Sequence, residues 1–310
     1  MGLTLVLWDG RYELYINAAS GCSAPHRTPK PLVDKDGRVV AVLSGQPKDE
    51  EDWAGVTSDA FDAMMKEAAE MSFSDEQLNH RRGYFPAVGV GASFGGGQRA
   101  PGNLDHPPPN RRALDRLLKR PSIVRIAGFA NRAFQMFAPK VHKFYEDELG
   151  KLFAEDPNLR KNFKGSVFPT ITLNLGNQVA CFPHTDSANL AWGWCAITAL
   201  GAFNPKKSAH LILWDLGLVI KFPSGSTILI PSAILEHSNV CIQPGESRAS
   251  LTQYAAGGLF RWVSNSFMSD KALNKQDPEL FAQLDAKRTN RWMHGLDMWS
   301  KISDFAPRTE

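Results

Sequence analysis

At 310 residues with 43% apolar and 22% charged side chains, the sequence has the composition of an ordinary soluble globular chain with a sizeable core. Its net charge is only +3, and no run approaches the ~18 consecutive apolar residues of a membrane span. Cys22, Cys181, Cys195 and Cys241 are scattered without CxxC spacing, and Cys181 and Cys195, in apolar runs, read as buried thiols, which suits a reducing, nuclear or otherwise intracellular compartment rather than secretion.

Met1 to Trp8 is apolar but short and has no basic leader, so it is not a signal peptide. Residues 3–8 and 11–16 read as strands of a hairpin around Asp9-Gly10, residues 25–31 as a loop, and residues 37–43 as a further strand. A helix is predicted over residues 58–71, with Ser58 as its cap and Phe61, Met64, Met65 and Ala68 on its apolar side. Residues 1–80 thus form an N-terminal layer that buttresses a core and carries no chemistry of its own; His26 and His80 are surface or structural.

Residues 85–109, dense in glycine and ending in three prolines, read as a long loop of the kind that approaches a ligand closely. Between Arg99 and Arg132 eight basic residues stand against two acidic ones. Such a stripe, which includes Arg99, Arg111 and Arg112, is the footprint of a phosphate-contacting surface or else a solvated helix face. Helices follow over residues 111–119 and 123–153, broken at Pro121 and Pro139, with Leu114, Leu117 and Leu118 and then Val141, Phe144, Leu149 and Leu152 facing a sheet. Residues 167–175 form a strand in which Thr170, Thr172 and Asn174 alternate with apolar residues.

His184 and Asp186, two apart on extended chain, point to one face, where an imidazole and a carboxylate can hold one ion. His237, on a later strand, offers a third donor. Two histidines and a carboxylate on one side of an ion leave the opposite positions open, as in non-haem Fe(II) oxygenases. Arg248 then sits where a following strand aims a planar guanidinium at a dicarboxylate co-substrate. The bland alternative makes His237 a core histidine, Asp186 a turn residue and Arg248 a surface strand residue.

Short apolar runs at 194–200, 210–214, 218–222 and 226–230, with Gly or Pro turns, argue a sandwich or barrel. His210 lacks a carboxylate two residues on and is structural. Alternation places Arg248, Ser250, Thr252 and Tyr254 on one face, so Tyr254 offers a stacking platform for an extruded base, or simply caps the barrel mouth. Residues 277–302 read as a terminal helix, apolar at Leu280, Phe281, Leu284, Trp292, Leu296 and Trp299, basic at Lys287, Arg288 and Arg291.

Several motifs together carry a family likeness across residues 81–268. They are Arg82-Gly83-Tyr84-Phe85-Pro86, Gly95-Gly96-Gly97-Gln98 with Pro101-Gly102-Asn103-Leu104, His184-Thr185-Asp186, the run from Gly193 to Gly201, Leu213-Trp214-Asp215-Leu216, Pro223-Ser224-Gly225-Ser226-Thr227 and the run from Thr252 to Trp262. In these the chain resembles the Fe(II)- and 2-oxoglutarate-dependent dioxygenases, specifically the TET/JBP branch found in mushroom-type fungi. The resemblance implies an α+β fold with a double-stranded β-helix (jelly roll) flanked by helices, in which residues 81–268 are the oxygenase core and residues 269–310 a C-terminal helix. It implies Fe(II) on His184, Asp186 and His237, 2-oxoglutarate on Arg248 and Ser250, O2 as oxidant, and methylated duplex DNA, with base flipping, as substrate of a monomer. Asn103 matches a base-contacting asparagine of the family's substrate loop. Asn189 is a second base-edge candidate, although the family pattern favours an acidic residue there. Two other readings share these residues: a prolyl-type protein hydroxylase and a non-catalytic DNA-binding relative.

Overall fold

The computed structural model describes residues 4–6, 29–47 and 51–305. The hairpin's second strand, Cys22 and residues 25–28 of the expected loop, His26 among them, lie outside them. The chain opens with β1 (Thr4–Val6), β2 (Lys30–Val33) and β3 (Val39–Gly45), then α1 (Trp53–Ala68) and the single turn α2 (Asp75–Leu78). Four strands follow: β4 (Asn79–His80), β5 (Gly83–Tyr84), β6 (Ala87–Ser93) and β7 (Gly102–Asn103). Helices α3 (Pro108–Lys119), α4 (Pro121–Phe137) and α5 (Pro139–Glu155) each begin at a proline, whose missing N–H costs nothing in a first turn.

Next come β8 (Thr170–Asn174), β9 (Cys195–Leu200), β10 (Leu211–Leu213), β11 (Leu218–Ile220), β12 (Thr227–Ile230), β13 (His237–Asn239) and β14 (Ala249–Tyr254). They join two sheets. The larger has the order β2-β3-β12-β9-β14-β8-β6-β7 and pairs antiparallel throughout; the smaller has the order β1-β11-β10-β13. Between β9 and β14 the chain passes from large sheet to small and back twice, so residues far apart in sequence meet between the layers.

The large sheet is buried on both faces, in keeping with the near-continuous apolar runs of β9 and β12. On one face Val88, Val90, Ile171, Leu173 and Leu251 pack beneath α1, α3 and α4, while Ala196 and Leu229 pack against α4 and α5. On the other, Ala41, Leu43, Ile197, Ala199, Ile228 and Ile230 meet Leu211, Leu213 and Ile220 of the small sheet. Phe134 centres the helical layer, stacked on Phe168 at 5.2 Å and edge-on to Tyr145 at 5.2 Å. Phe134→Ala is expected to destabilise the protein by about 3–5 kcal/mol through the cavity it leaves, read as a lower midpoint in urea unfolding.

Three elements differ from the sequence reading. Helix α1 starts at Trp53, not Ser58, because the Trp53 ring is buried and its indole N–H donates to the Gly225 carbonyl at 3.0 Å, fixing the chain one turn earlier. The expected loop 85–109 contains β6, concealed by its glycines. Gly91 adopts φ +115°, and a Cβ there would stand 2.1 Å from the Pro169 carbonyl oxygen, so only glycine lets β6 close on the neighbouring segment. The single helix expected over 277–302 is instead two, α8 (Pro278–Thr289) and α9 (Arg291–Met298), preceded by α6 (Gly257–Ser264) and α7 (Asp270–Gln276), with Asp277 capping α8 through the Leu280 N–H at 2.9 Å. Trp299 is buried, but Leu280, Phe281 and Leu284 are only half-buried and Trp292 is exposed. No helix among the described residues is long and apolar enough to cross a membrane.

Candidate metal centre and co-substrate pocket

An isolated antiparallel bridge clamps His184 beside His237: each backbone N–H donates to the other's carbonyl, at 3.1 and 3.0 Å. The rings lie 4.3 Å apart, centroid to centroid. In each, Nδ1 faces the carbonyl two residues upstream, Phe182 at 2.7 Å and Leu235 at 2.9 Å. A carbonyl only accepts, so Nδ1 carries the proton and Nε2 presents its lone pair. Those Nε2 atoms stand 3.9 and 4.0 Å from the two carboxylate oxygens of Asp186. The three donor atoms lie within 4.8 Å of one another, the only such group among the described residues.

Burial, followed by the neighbouring His237, pushes the His184 pKa down to about 4, and burial lowers that of His237. Both rings are therefore neutral near pH 7, the form that ligates a metal. Two neutral imidazoles and one carboxylate with open positions opposite suit a divalent iron ion.

Arg81, which the sequence reading left unassigned beside its Arg82-Gly83 motif, reaches this centre. Its guanidinium donates to the Thr185 carbonyl at 2.8 Å and stands 3.6 Å from an Asp186 oxygen. The turn that delivers it depends on Gly83, at φ +150°, where a Cβ would meet the Phe85 ring at 2.6 Å and the Ala180 carbonyl at 2.7 Å. Arg81→Ala is expected to weaken Mn(II) binding about tenfold by freeing the Asp186 carboxylate, with Arg81→Lys restoring part of it, read by metal titration.

Arg248 is 2% exposed. One Nη donates to the Val179 carbonyl at 2.9 Å; Nε has no acceptor, and no carboxylate pairs with it among the described residues. A buried guanidinium without a counter-ion costs several kcal/mol, so the position is one that an anion completes. Asn239, two residues beyond His237, donates to the same Val179 carbonyl at 3.4 Å, which links the guanidinium to the strand that carries His237. Beside it Ser250 accepts from Asn174 Nδ2 at 2.9 Å, while Asn174 Oδ1 has no donor.

From the metal centre a cavity of about 410 Å³ opens past Arg81, Arg82, Asn189, Thr172, Thr252 and Tyr254. The Tyr254 hydroxyl bonds Thr172 at 3.3 Å, and Gly89 lies beneath it, where a Cβ would meet the Leu104 side chain at 2.9 Å. Asn189 donates to the Ser232 hydroxyl at 3.0 Å. His80 bonds the Phe85 carbonyl at 3.0 Å, a structural role.

The remaining sequence candidates are not brought here. Asn103 is tied on both sides of its amide, donating to the Asn158 carbonyl at 2.8 Å and accepting from the Arg160 N–H at 2.6 Å. The basic stripe rides on α3 and α4, across the large sheet from the metal. Much of it is neutralised: Arg111 pairs with Asp105, Arg116 with Glu67 and Glu70, Arg120 with Asp59 and Arg125 with Asp52. Arg99 and Arg112 are exposed and line no part of the cavity.

No protein-family profile matches the sequence, and no curated protein matches it. Among solved structures, NgTET1 in complex with 5mC DNA shares the fold at a TM-score of 0.55 and 12% identity, covering 82% of this chain and 83% of that one. A 2OG-Fe(II) oxygenase family oxidoreductase from Burkholderia pseudomallei aligns at a TM-score of 0.34 and 15% identity, over 64% of this chain and 77% of that one. The 2OG complex of a viral collagen prolyl hydroxylase from Paramecium Bursaria Chlorella virus-1 aligns at 0.21 and 14% identity, over 28% and 57%.

Proposed function

We propose that the protein is an Fe(II)- and 2-oxoglutarate-dependent dioxygenase of the TET/JBP type, built on a double-stranded β-helix, that oxidises methyl groups on DNA bases. One observation carries the reading: His184, Asp186 and His237 converge on one point, and the buried guanidinium of Arg248, with no carboxylate partner among the described residues, shares the Val179 carbonyl with Asn239, two residues beyond His237. 5-Methylcytosine is the first substrate proposed and N6-methyladenine the second. The proposal places the protein with DNA in the nucleus.

When bound, iron and 2-oxoglutarate with O2 supply an oxidation that inserts one oxygen atom into a substrate C–H bond and the other into succinate, with release of CO2. The chain's own residues hold and aim the participants. His184, Asp186 and His237 would hold the iron, with both Nδ1 protons fixed by backbone carbonyls so that neither ring turns. Arg248 would hold the far carboxylate of 2-oxoglutarate, with the Ser250 hydroxyl beside it. Buried in low dielectric, that pair binds more strongly than it would in water.

Support for DNA comes from the cavity mouth and from the fold shared with NgTET1, whose structure holds 5mC DNA. Arg81 and Arg82 bring positive charge to the cavity, and the half-buried Tyr254 ring offers a flipped base a stacking surface. With its amide nitrogen committed to Ser232, Asn189 can still offer Oδ1, an acceptor matched to the exocyclic amino group of cytosine or adenine.

The test incubates the purified chain with Fe(II), 2-oxoglutarate and oligonucleotides carrying 5-methylcytosine or N6-methyladenine, alongside a proline-rich peptide, and weighs the products. Oxidised nucleosides with matching succinate are expected. Hydroxyproline with untouched oligonucleotides would instead assign a protein hydroxylase, and no succinate with any substrate would leave a non-catalytic relative.

A further inference from the structure

A second cavity, of about 360 Å³, adjoins the first, and Ala188 and Asn189 line both. Its walls include Phe94, Trp192, Arg261, Arg291 and Trp292. None of these residues holds the metal or the co-substrate pocket. Three features set this surface apart from a solvated charged face.

The first is unmet positive charge. Arg261 is held 3.5 Å from Asp270, which also pairs with Arg288 at 2.7 Å, and Arg288 has a second partner in Asp285 at 3.5 Å, so with Arg291 three guanidinium groups stand against two carboxylates. Arg291 has no carboxylate within ion-pair distance among the described residues. Its exposed guanidinium stands near Arg288 and Arg261, which repel it, only partly offset by Asp270 and Asp285. The second is an aromatic ring available to a ligand: Trp292 is 48% exposed while meeting Trp299 edge-on. The third is a rigid mounting. Gly295 packs directly on Trp192, where a Cβ would be 2.6 Å from the ring, and the Trp299 indole N–H donates to the Trp192 carbonyl at 2.9 Å. Helix α9 is thereby pinned to the cavity floor, and Arg291 and Trp292, in its first turn, are held over the opening.

We propose that this cavity binds the nucleic-acid strand flanking the target nucleotide, with Arg261 and Arg291 on a phosphodiester and Trp292 stacked on a neighbouring base. The inference rests on nucleic acid being the substrate. Guanidinium groups match phosphate geometry, and an aromatic face accepts any base, so the pairing grips a strand without reading its sequence. Continuity through Asn189 sets the direction: a strand whose target base enters the metal cavity crosses Asn189 and lays its next backbone unit between the two arginines. An acidic peptide would satisfy the arginines, but its carboxylate side chains offer no aromatic face to Trp292.

The test is fluorescence anisotropy of a labelled single strand of roughly 12 nucleotides carrying one 5-methylcytosine, titrated across a range of NaCl concentrations. Arg291→Gln is expected to weaken binding about tenfold and to flatten the slope of log K against log salt by about 0.7, the loss of one phosphate contact. Arg291→Lys is expected to keep the slope. Trp292→Ala is expected to weaken binding about tenfold with the slope unchanged. Wild-type affinity and slope in both Arg291→Gln and Trp292→Ala overturn the proposal, as does displacement of the strand by polyglutamate at equal charge concentration. Succinate formation by the wild-type chain is read separately. If it is present while the variants bind normally, this site falls and the oxygenase stands; if it is absent while Arg291→Gln binds weakly, the oxygenase falls and the groove stands.

Discussion

Asp186→Ala is expected to reduce succinate formation to background and to weaken Mn(II) binding by at least about 100-fold, more than an outer-sphere change such as Arg81→Ala. Asp186 is the one anionic donor in the centre; His184 and His237 are neutral, so without it nothing on the protein offsets an ion's charge. The fold should survive the change. The Asp186 N–H donates to the Ser232 carbonyl at 2.8 Å, and the histidines are clamped by their own backbone bridge, and neither contact uses the carboxylate. Far-UV circular dichroism and the unfolding midpoint of the metal-free variant are thus expected to match wild type. Succinate that persists in a His184→Ala, Asp186→Ala double variant would place the chemistry elsewhere and remove the assignment of the metal site.

What the sequence made legible was local. His184 and Asp186 share a face because extended chain alternates, and that needs no knowledge of the fold. The strand runs, the proline-started helices and the polar face of β14 follow from periodicity in the same way. What it hid was pairing. No local signal joins His184 to His237 through a bridge, and β6 escaped notice because the glycines that let it pack against residue 169 are those that mark a loop. The basic stripe stayed open between two readings for the same reason: a count along the chain cannot see that Asp59 and Glu67 on α1, and Asp52 just before it, lie across from Arg120, Arg116 and Arg125. The cations that do flank the cavities, Arg81, Arg82, Arg261 and Arg291, are scattered through the sequence and form no run. Asn103, placed by family likeness alone, turns out to fasten the loop at residues 158–160.

Arg248→Met should separate binding from stability in opposite directions. In the protein without 2-oxoglutarate, the guanidinium is buried with one backbone carbonyl for company, and burial lowers its pKa because the charge is poorly solvated. An apolar side chain of similar length removes that burden, so the unfolding midpoint without co-substrate is expected to hold or rise. Affinity for 2-oxoglutarate, by contrast, loses its buried counter-charge, a change worth about 2 kcal/mol or more, or at least roughly 30-fold in KM. The stabilisation that saturating 2-oxoglutarate gives wild type should vanish with it. Arg248→Lys keeps the charge but not the planar fork and should fall between the two. The backbone at this position does not depend on the side chain, since the Arg248 N–H donates to the Asn177 carbonyl at 2.8 Å and its carbonyl accepts from Val179 at 3.0 Å. A strongly destabilised Arg248→Met that still binds 2-oxoglutarate normally would make Arg248 a structural prop and leave the co-substrate without its anchor.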